Sequence, residues 1–260
     1  MSLENDLWLS GVAIETVVVC LLIFRRVWRL FPIFSAYCVW DVFSNVATVS
    51  VQHYSLWNYR TVYLIDTVID SFLVFAVLAE LGWSVLRPIR SQLPRATPVA
   101  IGMLVLLVGA AIWPFSGIPS LSSQAPMIRG IMHVQQTTSI LRVLFFLTLA
   151  ACSQFLSIGW RDRELQVATG LGFYSLISLG AAIIHTHETT IDQYDHLNQF
   201  VVTGYICSLA YWVYSFAQQE AERREFTPQM QNLLLAAAGV AREQRLALVQ
   251  ASMERHRQNS

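Results

Sequence analysis

The sequence predicts an all-α protein, a seven-transmembrane helix bundle, and three observations point to this class. Hydrophobic residues make up 55% of the 260 residues, and the mean hydropathy is +0.47. The apolar residues fall into seven runs of roughly twenty, each long enough to cross a hydrocarbon core about 30 Å thick as a helix. Arginines separate the runs. The predicted spans are residues 7–24, 31–51, 62–86, 99–118, 139–158, 165–184 and 197–216.

Each run is predicted to be a helix because a lipid environment leaves the backbone no water with which to hydrogen-bond, and the alternation of a strand is absent. The first run follows acidic residues, Glu4 and Asp6, so we expect a retained span and not a cleaved signal. The fourth opens with Thr97 and Pro98, which suit the N-cap and the first position of a helix. The longest outer connection, 119–138, is rich in Ser, Pro and Gln and precedes the fifth run.

The arginines predict the orientation of the bundle. One set of connections carries Arg25, Arg26, Arg29, Arg87, Arg90, Arg95, Arg161, Arg163, Arg223 and Arg224. The opposite connections carry Arg60 and Arg129. Because arginines near span ends concentrate on the cytoplasmic side, we expect the N-terminus outside and the C-terminus in the cytoplasm. The expected location is the cell membrane, as a multi-pass protein.

Two parts are predicted: a transmembrane domain, 1–217, and a cytoplasmic tail, 218–260, that is partly helical. The tail mixes leucines with arginines in a ragged amphipathic pattern. Three placements fit this pattern: on the anionic inner leaflet, against a cytoplasmic protein partner through residues 228–260, or as a solvated extension. Apart from the lipid bilayer, that protein is the expected partner, and nothing in the sequence suggests nucleic acid.

Charged side chains inside the apolar runs are the most informative chemical feature. Glu15, Asp41, Asp66 and Asp70 lie within the first three spans, and Arg142 lies within the fifth. An acidic residue at the centre of a membrane helix costs roughly 2.5 to 3.5 kcal/mol, so such residues face the bundle interior or a water-filled cavity. One arginine cannot pair with four acids. Some acids are therefore expected to be protonated or to line a wet cavity.

Polar residues spaced by three and four form stripes on the second, third, fifth and seventh helices. The stripes predict one outward-facing cavity for a ligand or an ion. Its predicted residues are Glu15, Asp41, Asn45, Asp66, Asp70, Arg142 and Gln199. The alternative is that these groups hydrogen-bond the helices together without any ligand, a common use of polar residues in membranes.

Five of the six histidines fall near the outer ends of the spans. His185, His187 and His196, with acidic neighbours, are a candidate site for a divalent metal, since imidazole and carboxylate both bind zinc or copper. The same residues are compatible with pH sensing or with ordinary interface positions. No catalytic residue is predicted.

Several function classes lose support. The chain has no lysine, so a retinal Schiff base has no nucleophile, and we expect no retinal or other cofactor apart from the candidate metal. Neither a glycine-rich phosphate loop nor a His-Glu-x-x-His helix occurs. A metal-dependent membrane hydrolase would need histidines beside the deep acids, so an enzyme is the least favoured class.

Short motifs are shared with one group of membrane proteins. They are Arg25-Arg26 with Phe31-Pro32, Glu80 with Leu86-Arg87-Pro88, Gly159-Trp160-Arg161 before Gly170 and Gly172, and Tyr205 with Trp212 and Tyr214. On these residues the chain resembles bacterial stand-alone seven-helix integral membrane proteins that have no established activity, over most of residues 7–216. The resemblance implies the topology and a bacterial inner membrane. A likeness to the seven-helix input regions of bacterial sensor kinases is architectural only.

Two functions are therefore expected ahead of an enzyme. The first is a receptor-like sensor that binds a small ligand in the cavity and passes a shift to the tail. The second is a proton or small-cation transporter that uses Glu15, Asp41, Asp66 and Asp70 as a relay. Many transporter folds show internal repeats, and none is evident between the first and last three spans, which favours the sensor.

Overall fold

The computed structural model describes residues 3–54, 56–87, 95–116, 126–153, 162–185, 191–218 and 236. Within these ranges, only the backbone is described for residues 3–6, 8, 52–61, 126–129, 131–132, 152, 185 and 191–198. The described residues form helices and no strand, so the all-α class is confirmed for them. The helices are α1 (Leu3–Phe24), α2 (Pro32–Tyr54), α3 (Leu56–Val85), α4 (Thr97–Ile112), α5 (Pro126–Cys152), α6 (Arg163–His185) and α7 (Ile191–Ala217).

Five helices are long and apolar enough to cross a membrane. Their apolar stretches are Val62–Val85, Thr97–Phe115, His133–Ala151, Arg163–Ile184 and Gln199–Ala217. The apolar part of α1, Leu9–Phe24, is shorter, and α2 does not reach this standard within the described residues. Polar residues spread along α2, including Asp41 and Asn45, account for its lower apolar content.

Six helices close a ring, and α4 lies outside it. Around the ring, α1 packs on α2 and α7, α2 on α3, α3 on α5, α5 on α6, and α6 on α7. Helix α4 packs against the outer side of α3 and α5. Only 11% of its apolar stretch is buried against protein, whereas the other four stretches are 28–39% buried. Because α4 carries no charged residue, it can expose apolar side chains all round.

Consecutive helices run in opposite directions. Gly82 near the end of α3 faces Ile101 near the start of α4, and Gly170 early in α6 faces Trp212 late in α7. The ends of α1, α3, α5 and α7 and the starts of α2, α4 and α6 therefore lie at the same end of the bundle. The described arginines Arg25, Arg26, Arg29, Arg87, Arg95 and Arg163 lie at this end, which we call the arginine end. The positions of Arg60 and Arg129 belong to the opposite end.

The reversal between α1 and α2 depends on a left-handed residue and on a carboxylate from α3. Arg26 adopts φ 57°, and a short 3₁₀ helix, Val27–Arg29, follows it. Pro32 begins α2, where its missing N–H is not needed. The next two backbone N–H groups, of Ile33 and Phe34, donate to the Glu80 carboxylate at 2.9 and 2.8 Å. Glu80 therefore caps α2 from a neighbouring helix and fixes the register of α2 against α3.

The close-packed core occupies the arginine end. The largest fully buried side chains are Val18, Leu22, Phe31, Phe34, Val74, Val77, Leu78, Leu81, Leu165, Val167 and Phe216. Phe34 makes edge contacts with the rings of Trp212 and Phe216, at centroid distances of 5.2 and 6.1 Å. Gly170 leaves space for the Trp212 indole, since a Cβ there would stand 2.2 Å from its nitrogen. Large aromatic rings packed against a glycine account for the close packing here.

A polar cluster closes the same end. Arg163 donates to the backbone oxygens of Ser215 and Gln218 at 2.7 and 2.8 Å. Its guanidinium also lies over the Phe216 ring, 5.5 Å from the centroid. These bonds satisfy carbonyl groups at the end of α7, which would otherwise lack helix partners. The start of α6 is thereby tied to the end of α7.

Two predicted helix boundaries need correction, and the predicted tail lies outside the described residues. Helix α5 begins at Pro126 and not near residue 139, because the polar turns before Ser139 pack against the end of α4. Helix α4 begins at Thr97, so Ala96 and not Thr97 occupies its N-cap. The predicted tail, 218–260, lies outside the described residues except for Gln218 and Ala236.

Candidate functional site

A polar cavity of about 460 Å³ lies inside the ring, away from the arginine end. Five helices, α2, α3, α5, α6 and α7, supply its walls. The lining residues are Tyr37, Asp41, Asn45, Asp70, Ser71, Gln135, Thr138, Ser139, Arg142, Tyr174, Ser178, Val201, Val202 and Tyr205. Twelve of these fourteen side chains carry a polar group, so the cavity is far more polar than the core beside it. Its size falls within the range typical of small-molecule sites, about 300–1,000 Å³.

The cavity ends where the core begins. Tyr37 lines it, and one helical turn earlier on α2 the buried Phe34 stacks against the Tyr37 ring at 6.5 Å. Phe34 is fully buried and belongs to the packed core. At the other side, the cavity wall includes Gln135, whose side chain is exposed. Among the described residues, the cavity therefore reaches exposed surface at Gln135 on α5 and is floored by aromatic rings.

Glu15, Asp41 and Tyr205 form one hydrogen-bonded group between α1, α2 and α7. The Tyr205 hydroxyl oxygen lies 2.6 Å from Glu15 Oε1 and 2.6 Å from Asp41 Oδ2. A phenol has one hydrogen to donate and an ionised carboxylate has none. Both contacts are hydrogen bonds only if one of the two carboxyl groups carries a proton.

Asn45 indicates which carboxyl group carries that proton. Its amide nitrogen donates to both oxygens of Glu15, at 2.9 and 3.1 Å. Glu15 therefore accepts from Asn45 and from Tyr205, which suits an ionised carboxylate. Asp41 is left to donate its proton to the Tyr205 oxygen. One negative charge is thus shared by two acids, which lowers the cost of burying both.

Arg142 and Asp70 form a long ion pair in the cavity wall. Arg142 Nη2 lies 3.5 Å from Asp70 Oδ2, at the outer limit for a hydrogen bond. The Arg142 side chain is 6% exposed, whereas that of Asp70 is 35% exposed. The Nε of Arg142 has no hydrogen-bond partner among the described atoms. The guanidinium is therefore buried with most of its donor capacity unused by this pair.

The structure brings five of the seven predicted cavity residues together. Asp41, Asn45, Asp70 and Arg142 line the cavity, and Glu15 lies directly behind Asn45. The two other predicted residues do not line it. Asp66 accepts a hydrogen bond from the Trp40 indole at 3.1 Å. Gln199 lies nearer the start of α7 than the cavity-lining Tyr205. Gln199 is six residues from Tyr205, so the helical period of 3.6 turns it about 120° away from the cavity.

Three tyrosines and several hydroxyl residues of the wall were not predicted. Tyr174 and Ser178 are one turn apart on α6, as are Thr138 and Arg142 on α5. The Tyr174 ring also makes an edge contact with Tyr205 at 5.2 Å. The spacing of four is the signal that would have linked these residues to the charged ones. Tyrosine carries no formal charge, so it does not stand out within an apolar run.

The predicted histidine site lies outside the described side chains. His187 and the side chains of His185 and His196 are not described, so their metal binding stays a prediction. Among the described residues, no three His, Cys, Asp or Glu side chains lie close enough to hold a metal. His133 stacks on Trp113 at 5.5 Å, and its Nδ1 lies 3.3 Å from the Ser116 hydroxyl. That histidine joins the end of α4 to α5.

The arrangement combines an acidic wall, a buried guanidinium and tyrosine rings around one space. These groups can hold a small polar molecule by charge-assisted hydrogen bonds and by ring contacts. No protein-family description, no curated protein and no solved structure matches the chain.

Proposed function

We propose that the chain is a receptor-like membrane protein that binds a small ligand in the polar cavity. One observation carries the proposal: a space of about 460 Å³ with polar walls is open at one end and floored by a close-packed core. A through-path for a solute would need polar residues below Tyr37. Below Tyr37 lies the buried Phe34 instead, in contact with the rings of Trp212 and Phe216.

The proposed topology has seven spans, an outer N-terminus and a cytoplasmic C-terminus. Helices α1 and α2 have 22 and 23 residues. At about 1.5 Å per residue each exceeds the roughly 30 Å of a hydrocarbon core. Both belong to the closed ring with helices that satisfy the apolar criterion. The clustering of arginines at one end supports placing that end in the cytoplasm, with the cavity opening outward.

The pair of Arg142 and Asp70 is better explained by a ligand than by helix–helix hydrogen bonding alone. Hydrogen bonds between helices explain Asn45, Trp40 and Tyr205, each of which has a side-chain partner. They explain Arg142 and Asp70 poorly, because this pair is long and faces an open space. A charged pair that remains loosely joined beside a cavity is what a site for a polar ligand requires.

The route to the cytoplasm follows α6 and α7. Tyr174, Ser178 and Tyr205 line the cavity on these helices, and Arg163 ties their other ends together beside Gln218. A shift of either helix at the cavity therefore reaches the start of the tail. We propose that the tail, through residues 228–260, binds a cytoplasmic protein in a ligand-dependent manner.

The ligand site is tested with the full-length protein in detergent micelles and a library of small polar metabolites. A ligand of the native state raises the unfolding temperature by mass action. We expect at least one chemical class to raise it in the wild type and not in Ser178→Phe, which fills the cavity. The matched control is Leu176→Phe on the same helix, because Leu176 is 46% exposed and faces outward. Equal stabilisation of wild type and Ser178→Phe by every hit, or no hit at all, would contradict the proposal.

The tail is tested by crosslinking in the membrane of the source cells. We expect one cytoplasmic protein to be captured by the full chain and lost on deletion of residues 228–260. Unchanged capture by the shortened chain would remove the tail from the proposal and leave the ligand site standing.

A proton or cation transporter is the second candidate, and the group of Glu15, Tyr205 and Asp41 favours it. Two acids joined by one hydroxyl and one proton resemble a step of a proton relay. Protein in liposomes with a trapped pH-sensitive dye separates the two functions. A receptor leaves the vesicles tight. A transporter acidifies them, and Asp70→Asn abolishes the flux while the control Asp66→Asn, one turn away, does not.

A further inference from the structure

The cavity presents both signs of charge on separate helices. Arg142 projects from α5, whereas Asp70 projects from α3. Both side chains line the same space. Among the described cavity residues, Arg142 and Asp70 form one ion pair, and its two atoms are 3.5 Å apart.

A ligand with a single charge would fit this arrangement badly. A cation held at Asp70 would stand beside the buried Arg142, and an anion held at Arg142 would stand beside Asp70 and the Glu15–Asp41 pair. In a space of low dielectric such like-charge contacts are strongly unfavourable and reject the wrong partner. A molecule that carries both charges meets an opposite charge at each wall.

The long ion pair supports the same conclusion. Arg142 and Asp70 are near enough to compensate each other when the cavity holds no ligand, but too far apart for a strong charge-assisted bond. A ligand carboxylate can take the unused donors of Arg142 while a ligand ammonium takes Asp70. Each partner then exchanges one weak contact for a shorter one.

We propose that the cavity binds a small zwitterion, an amino acid or a close analogue, with its carboxylate at Arg142 and its ammonium at Asp70. Tyr37 and Tyr174 also line the space, and aromatic rings attract ammonium groups. This inference rests on the proposed ligand site and names the chemical class that the site selects.

The test measures binding to the full-length protein in nanodiscs by calorimetry. The probes are glycine, β-alanine, 4-aminobutyrate and 5-aminovalerate, which differ in the separation of their two charges, together with butyrate and butylamine. We expect one member of the zwitterion series to bind at least about tenfold more tightly than either singly charged probe, since each lost charge removes a charge-assisted bond. Butylamine binding as tightly as the best zwitterion would overturn the inference.

Variants locate the two charges. Arg142→Gln is expected to weaken the best zwitterion about tenfold or more and to abolish its advantage over butylamine, because only the carboxylate contact is lost. Asp70→Asn is expected to abolish its advantage over butyrate. Asp66→Asn serves as the control for Asp70→Asn, since Asp66 contacts Trp40 and does not line the cavity. Selectivity that is unchanged in Arg142→Gln would overturn the inference.

The outcomes separate this inference from the proposed function. If no zwitterion of the series binds more tightly than butyrate and butylamine, while metabolites of another class stabilise the wild type and not Ser178→Phe, the ligand site stands and the zwitterion is excluded. The wild-type selectivity among the six probes needs no variant, so a failure of Arg142→Gln to fold does not affect the test.

Discussion

The two ends of the bundle are built from the same helices but differ in packing and polarity. At the arginine end, Phe31, Phe34 and Phe216 are fully buried in a close-packed core. Toward the other end the ring encloses a cavity of about 460 Å³ with polar walls. The change occurs within single helices. On α2, Phe34 belongs to the core and Asp41, two turns later, belongs to the cavity.

The contrast teaches how a membrane bundle can keep a polar space without losing its shape. Apolar contacts, glycine gaps and the Glu80 cap fix the helices at one end. Beside the cavity, hydrogen bonds of Glu15, Asn45 and Tyr205 join α1 to α2 and α7. Apolar packing is concentrated at the arginine end, so the poorly paired Arg142 and Asp70 lie outside the packed core.

The largest expected effect comes from emptying the core. Phe34→Ala removes a fully buried ring that touches Trp212 and Phe216, and we expect a loss of about 3–5 kcal/mol in the free energy of unfolding. The control is Phe43→Ala on the same helix, because Phe43 is 62% exposed. Reversible unfolding in mixed micelles measures both. Equal losses would mean that the arginine end is not the packed end.

A smaller loss is expected from closing a gap in the same core. Gly170→Ala places a Cβ 2.2 Å from the Trp212 nitrogen, so the ring must move, at a cost of about 1–3 kcal/mol. Gly180→Ala is the matched control on α6, since a Cβ there meets nothing within 4 Å. Alanine favours the helix, so the control should gain about 0.5–1 kcal/mol. A stabilised Gly170→Ala would contradict the close packing of α6 on α7.

The smallest effect sharpens the description of the cavity end. If Asp41 donates a proton to Tyr205, Asp41→Asn keeps a neutral donor and should change the unfolding free energy by less than about 1 kcal/mol. Glu15→Gln replaces the shared acceptor and should cost about 1–3 kcal/mol. Chemical unfolding of the two variants compares them directly. The reverse order would place the proton on Glu15.

Much of the fold follows from the sequence because lipid leaves the backbone few choices. Helices were predictable from the apolar runs, and the clustering of the arginines at one end from their alternation along the chain. The start of α5 was not, since Gln135, Thr137 and Thr138 are polar and resemble a loop until their contacts with the cavity and with Ser116 are known. The position of α4 outside the ring depends on helix packing, which its apolar composition alone does not determine.

The candidate site was predictable where a residue is charged. Asp41, Asp70 and Arg142 stand out in apolar runs because a charge there is costly. Asp66 is equally charged, yet a rotation of about 40° along α3 is enough to direct it to Trp40. Gln199 does not line the cavity for a similar reason. The face of a helix that points into the bundle depends on the neighbouring helices, and the sequence of that helix alone does not determine how they pack.

The position of α4 has a consequence for how the molecule can vary. None of the cavity-lining residues belongs to α4, and the contact of α3 with α5 closes the circle without it. Substitutions that reshape α4 to suit a thicker or thinner bilayer therefore leave the composition of the cavity walls untouched. Changes that suit the surrounding lipid and changes in the cavity lining fall on separate helices, and each can proceed without undoing the other.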